Sequence, residues 1–145
     1  MDLILWRHAD AEDGAPDLER RLTKKGRKQA ERVAEWLLAR LPKQFVVIAS
    51  PAARARETAE ALGVRIRTVD QLAPGASVAK ILKAAAWPDA EETVVIVGHQ
   101  PDLGRAVAHL VCGAQAEWSI KKGGLWWLAD EHPAEVRAVI SPELL

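Results

Sequence analysis

Short, unbroken apolar runs alternate along this chain with segments of helical period, and that alternation restricts the fold more than any other feature of the sequence. Leu3-Ile4-Leu5-Trp6, Phe45 to Ala49 and Thr93 to Val97 are continuous apolar stretches, the last two rich in β-branched residues. Such runs suit strands covered on both faces, where a polar side chain on either side would lose its water. Between the first two, Ala30, Val33, Ala34, Leu37, Leu38 and Leu41 recur at three- and four-residue intervals. That spacing predicts a helix with one apolar stripe, capped by Thr23 and followed by Pro42. A second helix, after Ser50-Pro51, carries Ala55, Ala59 and Leu62 and is stopped by Gly63. Ser77 is placed to cap a third, with Val78, Ile81, Leu82 and Ala85 inward, and Asp102 to Cys112 is a fourth, amphipathic through Leu103, Ala106, Val107 and Leu110. Val64 to Val69 alternates like a strand near the sheet edge, and Gly124 to Leu128 and Val136 to Ile140 complete the strands. The expected fold class is α/β, a three-layer sandwich with a mostly parallel central sheet and helices on both faces.

Size and charge narrow the class further. A chain of 145 residues suits a single domain, and such a chain buries roughly two-thirds of its unfolded surface without needing disulfides. Cys112 is the one cysteine and has no partner in the sequence. Twenty Lys and Arg balance 20 Asp and Glu, which argues against a nucleic-acid or membrane-surface partner, since both call for a basic excess. No apolar run approaches the ~20 residues that span a bilayer, and Leu3 to Trp6 is too short for the core of a signal peptide, so a cytoplasmic protein is expected. We find no repeat and no linker, and we read residues 1–145 as one domain. Ala9 to Leu22 is the longest stretch without periodicity, and long loops in compact domains tend to carry function.

Ligands of open α/β sheets bind beyond the carboxyl ends of the strands. Arg7 and His8 directly follow the first strand, Ser50 to Arg54 follow the second, and Gly98 and His99 follow the strongest. Any one of these alone would read as a structural residue, but two arginines and two histidines at one rim form a set. Arginine presents a planar fork of donors to phosphoryl oxygens and stays charged. A neutral imidazole is available near pH 7 as a nucleophile, and a phosphohistidine intermediate splits one difficult displacement into two. The arginines and the second imidazole would hold the charge on the equatorial oxygens where many such enzymes use a metal. A P-loop is disfavoured, because Gly26-Arg27-Lys28 lacks the upstream glycine. His109, His132 and Cys112 do not share metal-ligand spacing, so neither a metal nor another cofactor is expected. Cys112 reads as a small packing residue, and Trp126-Trp127 places one indole on each face of a strand. Lys24, Lys25, Arg27 and Lys28 open a helix where the dipole disfavours cations, which suggests an acidic partner or phosphate steering. Lys121 and Lys122 belong either to the pocket rim or to a solvated turn.

Leu5-Trp6-Arg7-His8-Ala9, Ser50-Pro51-Ala52-Ala53-Arg54-Ala55 with Thr58-Ala59, and Val97-Gly98-His99 resemble the three motifs of the histidine phosphatase superfamily, whose fold is phosphoglycerate mutase-like. Asp17-Leu18-Glu19-Arg20, then Leu22-Thr23 with Gly26 and Gln29-Ala30, is similar to the SixA-type phosphohistidine phosphatases. The resemblance runs in order from residue 3 to about residue 128. It implies His8 as phosphoryl acceptor, Arg7 and Arg54 as phosphate ligands, His99 as stabiliser of the transferred group, and Arg20 as a substrate-binding residue. Arg56 competes with Arg54 but turns away from it on the shared helix. Larger members of the superfamily carry a carboxylic general acid. Here Asp10, Glu12, Asp13 and Asp102 are near in sequence, none at a clear motif position, and Asp102 reads as an N-cap or first-turn acid. An imidazole leaving group needs less help from an acid than an alkoxide does. The chain also has no spare segment for a lid, which suits a phosphorylated protein surface. The expectation is a metal-independent phosphohistidine phosphatase. Its rivals are a phosphomonoesterase acting on small phosphorylated metabolites and a non-catalytic phosphate-binding module.

Overall fold

The computed structural model describes every residue from Met1 to Leu145. Its strands are β1 (Leu3–Arg7), β2 (Phe45–Ala49), β3 (Arg67–Thr68), β4 (Thr93–Gly98), β5 (Leu125–Ala129) and β6 (Glu135–Ile140), and its helices are α1 (Lys24–Leu38), α2 (Ala53–Glu60), α3 (Val78–Ala84) and α4 (Asp102–Cys112). The strands form one sheet in the order β3-β2-β4-β1-β5-β6. β1, β2, β3 and β4 run parallel, while β5 is antiparallel to both β1 and β6. The sandwich expected from the alternation of runs and helices is the observed one. No helix is long and apolar enough to cross a membrane.

Side chains on a strand alternate between faces, so each continuous run feeds two cores at once. Leu3, Leu5, Ile48, Val94 and Ile96 pack on one face against Ile81 of α3 and Leu103, Ala106 and Val107 of α4. Ile4, Trp6, Val47, Ala49, Val95 and Val97 pack on the other against Val33 and Leu37 of α1 and Ala55 and Ala59 of α2. The indoles divide in the same way: Trp127 joins the second core edge-on to Trp36, and Trp126 lies against Trp118 beside the first. Each fully buried large side chain contributes roughly 1.5–3 kcal/mol of transfer free energy.

Helix starts follow the sequence closely, and helix ends less so. Thr23 accepts the Gly26 amide at 2.9 Å and Ser77 accepts the Lys80 amide at 3.2 Å, as capping residues should. α1 ends at Leu38 rather than reaching Leu41, although Leu41 still packs on the core. α2 ends at Glu60, before the Gly63 that turns the chain. The strand expected over residues 64–69 shrinks to Arg67–Thr68, which pair with Ile48 and Ala49 of β2. Val78 and Leu82 are half-buried, and Ile81 and Ala85 form the inward stripe of α3.

β4 lies between β2 and β1, with Arg7 opposite Gly98 and Ala49 opposite Val97. The residues that follow these three strands therefore emerge side by side at one rim.

Candidate active site

Backbone hydrogen bonds carry the sheet ladder one step past its formal ends. The His8 amide donates to the Gly98 carbonyl and the Ser50 amide to the Val97 carbonyl, both at 3.0 Å. On the other side of β1, the Gly123 amide donates to the His8 carbonyl at 3.0 Å, and the Trp6 indole donates to the Gly123 carbonyl at 2.8 Å. Thr58 fastens α2 to the loop after His8: its hydroxyl accepts the Ala9 amide at 3.0 Å and donates to the Arg54 carbonyl at 2.8 Å. Gly26 permits a close approach behind that loop, since a Cβ there would sit 2.0 Å from the Asp10 carbonyl oxygen. Arg7, His8, Arg20, Arg54 and His99 all line one cleft of about 570 Å³, so the structure brings together every site residue expected from the sequence.

His8 is 8% exposed, and its ring centroid lies 5.3 Å from that of His99. His8 Nδ1 is 2.8 Å from the Ala9 carbonyl oxygen. A carbonyl can only accept, so Nδ1 carries the proton and Nε2 keeps its lone pair. Burial pushes the His8 pKa down to about 4, and the nearby charges of Arg54, Arg7 and Arg20 add to that against the opposing hydrogen bond to Ala9. Burial, then His8 and Arg54, push His99 down to about 3. Both rings are therefore neutral near pH 7.

Arg7 Nη1 donates to the Ile120 carbonyl at 2.8 Å. Arg54 is held by a single residue of the preceding loop: Nη1 donates to the Asp17 carbonyl at 2.8 Å and Nη2 to the Asp17 carboxylate at 3.1 Å. Arg20 reaches the other oxygen of that carboxylate at 3.1 Å and the Glu12 carbonyl at 3.0 Å. Desolvation works against ionisation of Asp17, but the hydrogen bonds and charges of Arg54 and Arg20 prevail and hold its carboxyl below the usual range. The two buried side-chain nitrogens without any hydrogen-bond partner are Nε of Arg7 and Nε of Arg54. Orphaned buried donors are rare because each costs about 1–3 kcal/mol. Arg56 is exposed and pairs with Glu60 one turn on, at 3.4 Å.

Two of the nearby acids, Asp10 and Asp102, are engaged within the protein. Asp10 accepts the Thr23 hydroxyl at 2.8 Å and Lys122 Nζ at 3.1 Å. The Thr23 hydrogen bond is the main reason its pKa lies below the ordinary value, so Asp10 is a carboxylate. Asp102 is in the first turn of α4, as the sequence suggested, but Pro101 holds the cap position and the carboxylate reaches across the rim. It accepts the amides of Gly75 at 2.9 Å and Ala76 at 3.1 Å. Asp13 lines the cleft, as do Lys122, Gln100 and Arg105. Lys121 pairs instead with Glu143 at 3.5 Å. Cys112 is exposed rather than packed, because α4 turns it away from the sheet. His109 lies on the exposed side of the same helix, and His132 sits 3.4 Å from Asp130, far along the chain from the rim. No three His, Cys, Asp or Glu side chains converge as a metal-binding group. Sequence reasoning missed the roles of Ser50, Asp17 and Thr58. Ser50 and Thr58 stand inside a motif it had quoted, and their contacts depend on distances the sequence does not carry.

The sequence profile of the histidine phosphatase superfamily (branch 1) matches residues 3–74. An uncharacterized protein of Picosynechococcus sp. is 37% identical over 139 residues, a span covering 86% of this chain and 82% of that protein. The SixA structure from Nakamurella multipartitia superposes with a TM-score of 0.83 at 30% identity, covering 97% of this chain and 95% of the other. The SixA structure from Agrobacterium tumefaciens superposes with a TM-score of 0.81 at 27% identity, covering 97% and 98%. The protein histidine phosphatase SixA in complex with tungstate shares the fold at a TM-score of 0.87 and 24% identity, covering 99% of each chain. On these matches the chain belongs to the histidine phosphatase superfamily, within its SixA-type branch.

Proposed function

We propose that this protein is a phosphohistidine phosphatase that works through a covalent phospho-His8 intermediate. The carrying observation is a neutral imidazole, its proton held on Nδ1 by Ala9, in one cleft with the guanidinium groups of Arg7 and Arg54. A tetrahedral dianion offers acceptors to these cationic groups. In the first step the His8 Nε2 lone pair attacks phosphorus, the bond from phosphorus to the substrate imidazole breaks, and that imidazole leaves after taking a proton from solvent. In the second step water attacks phospho-His8, its oxygen bonds to phosphorus, and the P–N bond returns its electrons to Nε2. Neutral His8 and inorganic phosphate result, with the water's proton released to solvent. Arg7, Arg54 and His99 bind the equatorial oxygens, and Arg20 extends the cationic rim toward the rest of the substrate. The guanidinium charges take the role a metal plays elsewhere, so turnover proceeds without one. Asp10 and Asp102 are engaged within the protein, and a phosphoramidate needs an acid less than an ester does.

The test is a radiolabelled phosphohistidine protein mixed rapidly with the enzyme. Label is expected on His8, and His8→Ala should lose it together with about 10⁴-fold or more of turnover. Turnover by His8→Ala at the wild-type rate would overturn the mechanism, and loss of activity on adding EDTA would overturn metal independence. Faster turnover of small phosphate esters than of the phosphoprotein would overturn the substrate class.

A further inference from the structure

One buried hydroxyl decides which proton His99 can offer. Ser50 is fully buried, its Oγ lies 2.7 Å from His99 Nε2, and it accepts the Ala52 amide at 3.1 Å. The hydroxyl makes no other hydrogen bond. A hydroxyl has one proton to donate and two lone pairs to fill. If His99 carried its proton on Nε2, that N–H and the Ala52 amide would fill both lone pairs, and the serine proton would be buried without an acceptor, at a cost of roughly 1–3 kcal/mol. The only return would be a contact from Arg54 Nη2 to His99 Nδ1 at 3.4 Å, beyond the usual hydrogen-bond range. With the proton on Nδ1, Ser50 donates to Nε2 and accepts from Ala52, and both the hydroxyl and Nε2 are satisfied. The neutral imidazole then has a single N–H, placed beside the permanent donor Arg54 Nη2. Two donors side by side repel one another until an anionic oxygen accepts from both.

We propose that Ser50 is a positioning residue that holds His99 as its Nδ1–H tautomer, so that His99 Nδ1–H and Arg54 Nη2–H meet on one oxygen of the transferred phosphoryl group. The second half of this statement rests on the reading of the cleft as a phosphoryl-transfer site; the tautomer does not. Ser50 touches no substrate in this scheme. It acts through His99.

Long-range proton–nitrogen couplings in protein with isotope-labelled histidine report the tautomer of each ring. In the resting wild-type protein His99 is expected as Nδ1–H, and added tungstate should move the Nδ1 resonance. In Ser50→Ala the Nε2–H form should appear, and in Ser50→Thr, which keeps a hydroxyl, the Nδ1–H form should return. The rate of His8 phosphorylation should fall about 10–100-fold in Ser50→Ala with KM within about 3-fold, and recover in Ser50→Thr. An Nε2–H tautomer in the wild type overturns the proposal, and so does an unchanged tautomer in Ser50→Ala. If Ser50→Ala does not fold, the wild-type spectrum with and without tungstate decides alone. An Nδ1–H ring that responds to tungstate in a protein that never forms phospho-His8 supports Ser50 as the positioning residue and overturns the nucleophile reading instead.

Discussion

Arginines stand at both ends of the sheet, and they are used in opposite ways. At the amino ends of β1 and β4, Arg40 lies over the Trp36 ring at 4.6 Å and donates to the Trp36 carbonyl at 3.0 Å. Arg137 lies 5.9 Å from the Trp127 ring centre and donates to Asp2 at 2.7 Å. Both are exposed, and Asp2 also accepts the Trp127 indole at 2.8 Å. These arginines are complete within the protein: an aromatic face, an acceptor and water account for them. At the carboxyl ends, Arg54 is 4% exposed and Arg7 half-buried, and each keeps an Nε–H that nothing in the protein accepts. The same residue type is thus a fully paired surface clamp at one end and an incompletely paired donor lining the cleft at the other. What separates the two is burial combined with incomplete pairing.

That contrast can be broken at several points. The largest effect should come from Arg54→Ala, which in the proposed mechanism removes a donor from the developing phosphoryl charge. A loss of about 10²–10³-fold in kcat/KM is expected from steady-state kinetics, and a loss under threefold would show that the two ends do not differ in function. Next comes pH. His8 and His99 are held neutral in the folded state, at about 4 and about 3, whereas an unfolded chain titrates near 6.5. Above ~6.5 neither state takes up these protons, and stability is at its full value. As pH falls, the unfolded state binds protons the native rings refuse, so stability should drop by a few kcal/mol between ~6.5 and ~4. Denaturant melts at stepped pH would show this. By the same shift, the acid limb of kcat/KM should lie near pH 4 to 5, and a limb at 6.5 would contradict a buried neutral nucleophile.

Asp17 offers a finer test. Its carboxylate bridges Arg54 and Arg20 at the place where a second anion would compete. Asp17→Asn should tighten tungstate about 3–10-fold at low salt by calorimetry, an effect that fades as salt screens the rim. The smallest effects belong to the other end of the sheet. Arg40→Ala and Arg137→Ala should each cost about 0.5–1 kcal/mol of stability in denaturant melts and leave kcat/KM within twofold. A tenfold loss of activity from either would abolish the contrast.

The site was legible in the sequence to the extent that it is carried by strand ends. Arg7, His8 and His99 each stand within one residue of a strand whose apolar run is unmistakable, and a parallel sheet brings those ends together without further instruction. Arg54 was separable from Arg56 because residues two apart on a helix point in different directions, and the structure buries the first and exposes the second. Asp102 was legible only in part: a first-turn acid is a local pattern, but its hold on Gly75 and Ala76 spans a sheet face. The residues 64–69 show the converse failure, in which a local alternation over six residues became a pairing of only two, Arg67 and Thr68, with β2.

By itself, then, the sequence determined the layers, the strand ends and the identity of the four central side chains, because periodicity and motif order are properties of the chain taken locally. Only the tertiary structure decided how those side chains are charged and aimed. Ala9 sets the His8 tautomer, Ser50 faces His99, Asp17 occupies part of Arg54, and burial keeps both imidazoles neutral. Two of those four determinants act across a few ångströms between residues far apart in the chain, one joins chain neighbours through the turn of the backbone, and the fourth depends on everything packed around the rings. Hydrogen-bond pairing and desolvation are properties of such surroundings, and no local pattern of residues encodes them.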